Sequence, residues 1–329
     1  MTTRISDIIV PEAFTGYLVQ NAMERTALVE SGILVPNDVI RTQLKAGAHS
    51  FNVPFWRDLG NEEADTVNDN PADLSVPLKI QTGKQLIRKS FLHQSWSAMN
   101  LASELAGSDA LNAIQARVTA YWNRQLQRRL VSTLNGIIAD NVANDASDMV
   151  LDISAETGEA ANFSPAAVID ATGTLGDAMG SVVGIAMHSD LYRRALKADL
   201  IEFVQPSAGS MRMPTYRGLA VIVDDGMPFD GVSGVYTCAL FGQGAVGYGV
   251  TAPAIAEGTE VENLPSAGKG GGQQVLHSRV NLAAHPLGFA WVEGTIAGES
   301  PTIAELGAAA HWDRVVERKA VPLAFLRCK

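Results

Sequence analysis

Residues 108–144 read SDALNAIQARVTAYWNRQLQRRLVSTLNGIIADNVAN. Leu111, Ile114, Val118, Trp122, Leu126, Leu130, Leu134 and Ile137 recur there at steps of three or four. That period lines one face of an α-helix. At about 1.5 Å per residue the stretch spans roughly 50 Å, several times the length of an average globular helix. A helix this long is a spine on which other layers pack. Ser108 is placed to cap it, with Asp109 in the first turn against the positive end of the dipole. No proline interrupts the stretch, and Gly136 falls near its end, where it weakens only the last turns. The polar side carries Arg117, Arg124, Arg128 and Arg129, either a solvated basic face or one that meets acidic neighbours on another subunit. The 3.5-residue spacing of a sustained coiled coil does not hold.

The chain has 329 residues, 47% hydrophobic and 18% charged, a composition that can bury a large core. Its net charge of −10 argues against a generic nucleic-acid coat, which would be basic. Two cysteines, Cys238 and Cys328, allow neither a disulfide framework nor a zinc spacing and fit a reducing, cytoplasmic birthplace. The opening MTTRISDIIVPEAF lacks the basic and apolar regions of a signal peptide. No apolar run reaches the length of a membrane span.

Residues 1–44 read as an N-terminal arm that cannot bury its own apolar side, so it lies on the rest of the chain or on a neighbour. Residues 45–92 read as an extended β-hairpin loop. Phe51, Val53 and Phe55 alternate, as do Val76, Leu78 and Ile80. Between the two runs Asp58, Glu62, Glu63, Asp65, Asp69 and Asp73 face a single Arg57, whereas Lys79, Lys84, Arg88 and Lys89 follow with no acid among them. A two-stranded ribbon alone is marginal in water, so this acidic tip and basic stem point to contacts with other subunits. The candidate contact residues are Glu62, Glu63, Asp65, Lys79, Lys84, Arg88, Arg124 and Arg128.

After the spine, a short strand DMVLDIS leads to Ser164-Pro165, the cap-then-Pro start of a helix through Met179. The buried strand SVVGIAMHS follows, then a helix capped by Ser189, and a hairpin turning at Arg217-Gly218. VYTCALF and AVGYGV are strands, NLPSAGKGGGQQ a flexible loop, and VLHSRVNLAAHPLGFAWV two strands around Pro286. Ser300-Pro301 starts a final helix through Ala310, before a strand AVPLAFL. Alternating helices and strands predict a layered α/β unit.

Gly242, Gly244 and Gly247 have GxGxxG spacing, but strand and turn residues follow where a dinucleotide site needs a helix N-terminus. GKGGG at 268–272 lacks the phosphate-loop spacing. His188, Ser189 and Asp190 are consecutive, whereas a catalytic triad converges in space. Asp224-Asp225 closes a strand and reads as a turn rather than a cation site, since Gly226 and Pro228 follow. No histidine pair has HxxxH or HExxH spacing, and the five tryptophans are scattered like packing anchors. No catalytic, cofactor or metal constellation emerges.

The order of arm, projecting ribbon, spine helix and layered unit resembles the major capsid proteins of tailed bacteriophages, with the Hong Kong phage fold. The resemblance runs through IVPEAFTGYLVQNAMERTALVESGI (9–33), IAMHSDLYRRALKADLI (185–201), TYRGLAVIVDDGMP (215–228), YTCALFGQGAVGYG (236–249), HPLGFAWV (285–292) and SPTIAELGAAAHWDRV (300–315). It implies an α+β capsid fold: arm 1–44, extended loop 45–92, peripheral domain 93–164 with spine helix 108–144, axial domain 165–275, and return to the peripheral domain at 276–329. It implies a virion structural protein, not an enzyme, assembled in the host cytoplasm into pentamers and hexamers of an icosahedral head around double-stranded DNA. No cofactor and no membrane are involved. The partners it implies are copies of the chain, a separate scaffolding protein, portal and decoration proteins. An encapsulin-like compartment and a soluble α/β enzyme using nucleotide cofactors are the alternatives.

Overall fold

The computed structural model describes residues 27–60, 62–67, 69–72, 74–204, 213–294 and 296–329. Expectations that fall on residues 1–26 or on Asp73 lie outside the described residues. The helices are α1 (Ala27–Glu30), α2 (Asp38–Lys45), α3 (Asn100–Ala106), α4 (Ala110–Asn144), α5 (Pro165–Gly173), α6 (Ser189–Lys197) and α7 (Ile303–Leu306). The strands before α5 are β1 (Leu34–Pro36), β2 (Ser50–Trp56), β3 (Thr82–Arg88), β4 (Ser90–Met99) and β5 (Val150–Asp152). The next seven are β6 (Val182–Met187), β7 (Glu202–Val204), β8 (Met213–Tyr216), β9 (Leu219–Val223), β10 (Phe229–Asp230), β11 (Val235–Gly242) and β12 (Val246–Thr251). The last are β13 (Thr259–Leu264), β14 (Gln273–Pro286), β15 (Phe289–Trp291), β16 (Trp312–Arg314) and β17 (Leu323–Cys328).

The larger sheet has the order β5-β17-β11-β6-β9-β8-β7, with β10 added on β11. It is a wall between two cores. Ala239 and Phe241 of β11, with Leu323 and Phe325 of β17, join the core that holds the spine helix α4. Cys238 and Leu240, with Ala324, Leu326 and Cys328, join the core under α5 and α6. Side chains alternate across a strand, so a strand covered on both faces is apolar throughout. All eight residues of β11 are buried. Cys238 and Cys328, distant in sequence, meet on this second face; both are free, and the Cys328 contact and burial push the Cys238 thiol up. The smaller sheet runs β1-β12-β14-β13, and β4 also pairs with β14.

Asp109, not Ser108, caps α4: its carboxylate accepts from the Leu111 and Asn112 amides. Ser108 is already committed, its amide donating to Ser103 O while that of Gly107 donates to Glu104 O, the pair of bonds that closes the preceding helix. The spine has two unlike halves. From Leu111 to Trp122 its apolar stripe is half-buried, and the remaining positions of that stretch face solvent or are partly covered. From Leu126 to Asn141 it is buried almost all round. Arg129 therefore departs from the expected basic face. It is buried and donates to Ser90 Oγ at 3.1 Å and Pro301 O at 2.9 Å, and burial lowers its pKa to about 10, which leaves it charged at neutral pH.

Several expected boundaries move. The helix after Ser164-Pro165 stops at Gly173, short of Met179, and a tighter 3-10 segment covers Gly176–Ser181; Thr172 and Thr174 hydroxyls bond the Ile169 and Ala171 carbonyls as it ends. His188, not Ser189, caps α6, its Nδ1 accepting from the Asp190 amide at 3.2 Å. The final helix is the short α7, capped by Thr302 in a reciprocal box with Glu305; the Ser300 hydroxyl instead accepts from the Phe91 amide. NLPSAGKGGGQQ is largely a hairpin joining β13 to β14, with positive φ at Gly268, Lys269, Gly270 and Gly272. The described part of the expected arm lies on this chain itself. Leu28, Ile33 and Leu34 enter the spine core, and β1 pairs in parallel with β12.

Gly136 has a stronger reason than its sequence suggests. A Cβ there would collide with Leu306 O and with Trp312 Nε1, atoms that are themselves bonded at 2.8 Å. Gly136→Ala should therefore destabilise the fold by about 1–3 kcal/mol through overpacking. Urea unfolding followed by tryptophan fluorescence measures this; an unchanged midpoint would contradict the packing account.

His285 is buried at the end of β14, with Nε2 2.7 Å from Phe289 O. Burial lowers its pKa from 6.5 to about 4. Between these values the unfolded chain binds a proton that the folded chain does not, so stability falls as the pH drops through that window. The contribution present above pH 6.5 and lost by pH 4 is about 3 kcal/mol. Denaturation of the wild type and of His285→Gln across this range should show a shallower acid dependence in the variant.

Candidate assembly surfaces

β2 and β3 pair antiparallel from Ser50↔Arg88 to Trp56↔Thr82. The second strand of the ribbon is thus Thr82–Arg88, not Val76–Ile80. The alternation at Val76, Leu78 and Ile80 is real, but these side chains have no sheet to face. Gly83 sits opposite Phe55, and a Cβ there would meet the Phe55 ring, so the glycine lets that ring cross the strand pair.

The base of the ribbon is fixed to the body. Phe51, Val53 and Ile87 pack with Ile40, Leu44 and Ala283. Lys89 is wholly buried, donating to Ala46 O at 2.8 Å with its ammonium 5.8 Å from the Phe51 ring centre; burial lowers its pKa. Arg88 does not face outward as expected. It reaches both Glu293 carboxylate oxygens, at 3.2 and 3.0 Å, and Glu299 O at 2.9 Å. It therefore braces the ribbon against residues 293–299.

Past Trp56 the chain changes character. The described residues between Arg57 and Gln81 form no helix or strand, and all are exposed. They include Leu59, Val67 (94% exposed), Leu74 (84%), Val76 (77%) and Leu78 (70%). Glu62, Glu63, Asp65 and Lys79 lie on this segment and Lys84 on β3, all exposed. Among the described residues none of these five makes an ion pair within the chain. The apolar row at Val76, Leu78 and Ile80, expected as a strand, lies in this exposed segment instead. Arg124 is partly buried and Arg128 exposed on α4.

The other motifs are structural. Gly242 ends β11, Gly244 lies in the turn and Gly247 falls within β12, with no helix following. Asp224 is buried, accepts from the Gly226 amide at 2.8 Å and is bonded by Gln127 Nε2, which fixes a turn against the spine. No group of three or more His, Cys, Asp or Glu side chains placed to hold a metal occurs among the described residues. No described helix is long and apolar enough to cross a membrane.

A braced core, a long spine and an extended loop bearing unburied apolar residues define a shell-forming subunit with the Hong Kong phage fold, and solved structures carry the same fold. The capsid of cyanophage Pam1 superposes with a TM-score of 0.58 at 10% identity, covering 98% of this chain and 97% of that one. The capsid of a native GTA particle gives 0.54 at 14% identity, over 97% and 95%. The holo-SrpI encapsulin of Synechococcus elongatus gives 0.51 at 10%, over 99% and 95%. At these identities the likeness concerns the fold alone. No protein-family model matches the chain. The major capsid protein of Bacillus phage SPP1, however, is 36% identical over 325 residues, 97% of this chain and 96% of that protein. The chain belongs to the phage major capsid protein family, and its role is to form a capsid.

The Arg88 brace yields a direct expectation. Arg88→Ala should leave the subunit folded while weakening the attachment of residues 293–299 by about 1–2 kcal/mol. Hydrogen exchange of that segment reports it; unchanged protection would mean that packing alone holds the segment.

Proposed function

We propose that copies of this chain form pentamers and hexamers that close into an icosahedral phage head around double-stranded DNA, and that the role is structural rather than enzymatic. The observation that carries the reading is the outer part of the extended loop, residues 57–81, whose described apolar side chains are exposed on their own subunit. Exposed apolar surface of this kind belongs at interfaces. A ribbon that is acidic at one end and basic at the other provides the head-to-tail, repeated contacts from which rings and shells are built. In this reading the loop (45–92) lies over the adjacent subunit. The axial domain (165–275) meets its copies at the capsomer centre, and residues 93–164 and 276–329 form the peripheral domain.

The net charge of −10 suits a container that must release its genome, because each phosphate neutralised by a basic side chain adds affinity. Scaffolding, portal and decoration proteins complete the assembly, which takes place in the host cytoplasm. An encapsulin-like compartment shares the fold, but the 36% identity to a phage capsid protein favours the genome container.

Glu62→Lys with Glu63→Lys should leave circular dichroism and thermal unfolding of the subunit unchanged while reducing closed shells in negative-stain micrographs. Shells of normal yield and shape from this double variant would remove the loop charges from the account.

A further inference from the structure

Three strands of the smaller sheet are joined on their solvent-facing side by a short polar chain. His93 stands on β4, His277 on β14 and Glu262 on β13. His93 Nε2 lies 3.1 Å from His277 Nδ1, and His277 Nε2 lies 3.3 Å from Glu262 Oε2. The imidazole centres are 5.4 Å apart and their planes differ by 22°. With facing nitrogens at 3.1 Å, the rings therefore meet edge to edge, one N–H pointing into the other's lone pair. The two nitrogens aim at each other rather than at a shared third point, and no third ligand converges among the described residues. This geometry holds a proton, not a metal ion.

The surroundings decide where further protons go. Arg279 of β14, the register partner of His93, is held by Glu260 Oε2 at 3.0 Å and by Glu257 O at 3.2 Å. Lys45 of α2 rims the adjoining cleft together with His93 and Arg279. On the other side, His277 is opposite Glu260 in register and bonded to Glu262. His93 thus faces cations and His277 faces carboxylates. A proton on His277 lets that ring donate both to Glu262 and to His93. A second proton, on His93, puts N–H against N–H at a separation where one of them must withdraw. Burial, His277 and Arg279 all lower the pKa of His93, consistent with that order.

We infer that His93, His277 and Glu262 form a two-step proton switch on the edge strand β13: the first proton ties β13 to β14 and the second parts β14 from β4. β13 is suited to such control, because all six of its residues are exposed and, among the described residues, it pairs with β14 alone.

Hydrogen exchange of the full chain, with each amide normalised to its intrinsic rate at that pH, tests this. Protection of β13 should rise about two- to fivefold from about pH 8 to about pH 6, the range for a partly exposed ion pair. It should fall again in stronger acid. Glu262→Gln, an exposed and isosteric change, should abolish the rise. His93→Gln should keep the rise and remove the later fall. A flat wild-type profile, or a rise that survives in Glu262→Gln, overturns the switch.

Discussion

Burial of the second half of the spine helix on nearly every side is the constraint on which the rest of the structure depends. A helix end enclosed in this way penalises polar groups without partners. Arg129 therefore spans to Ser90 and Pro301, and Gln127 reaches Asp224 and the Val29 amide. Where the helix ends, Asn141 and Asp148 bond each other, and Asp148 receives a forked pair of bonds from Arg314. Arg318 adds bonds to Asp148 O and Val321 O. Each such partner comes from a different part of the chain, so enclosing the helix also fixes the order in which those parts meet.

The architecture was legible in the sequence where periodicity was long or burial two-sided. The spine was visible because its stripe runs for many turns, and β11 and β17 because strands covered on both faces read as continuous apolar runs. What failed did so locally. Ser108 and Asp109, or Ser189 and His188, are all competent caps, and the choice depends on which amides the neighbouring element has already engaged. Val76, Leu78 and Ile80 gave the period of a strand without being one, since alternation records a side chain's chemistry and not whether anything pairs with its backbone. Arg129 carried no signal at all: an arginine beside Arg128 looks solvated until a loop from residue 301 is laid over it. For the assembly surface, charge was readable residue by residue, whereas Arg88 was not distinguishable from Lys84 without Glu293 in view.

The molecule divides by burial rather than by sequence order. Residues 27–56 and 82–329, where described, form two large sheets, two strand pairs and the helices packed on them. The described residues of 57–81 contribute nothing to the cores and are exposed. The ribbon's base is nevertheless anchored by Lys89, Arg88 and the Phe51 cluster. An exposed segment on a fixed mount can meet a neighbouring surface without transmitting strain to the interior.

The placement of β17 has a consequence for synthesis. This strand sits between β5 and β11 in the wall that separates both cores, yet residues 323–328 are translated long after their partners at 150–152 and 235–242. Contacts so distant in sequence close late. Until they do, the helices on either side have no common wall to rest on, and the ribbon has no finished body to project from. A chain without β17 therefore lacks the wall on which both cores rest, whatever the state of its other elements.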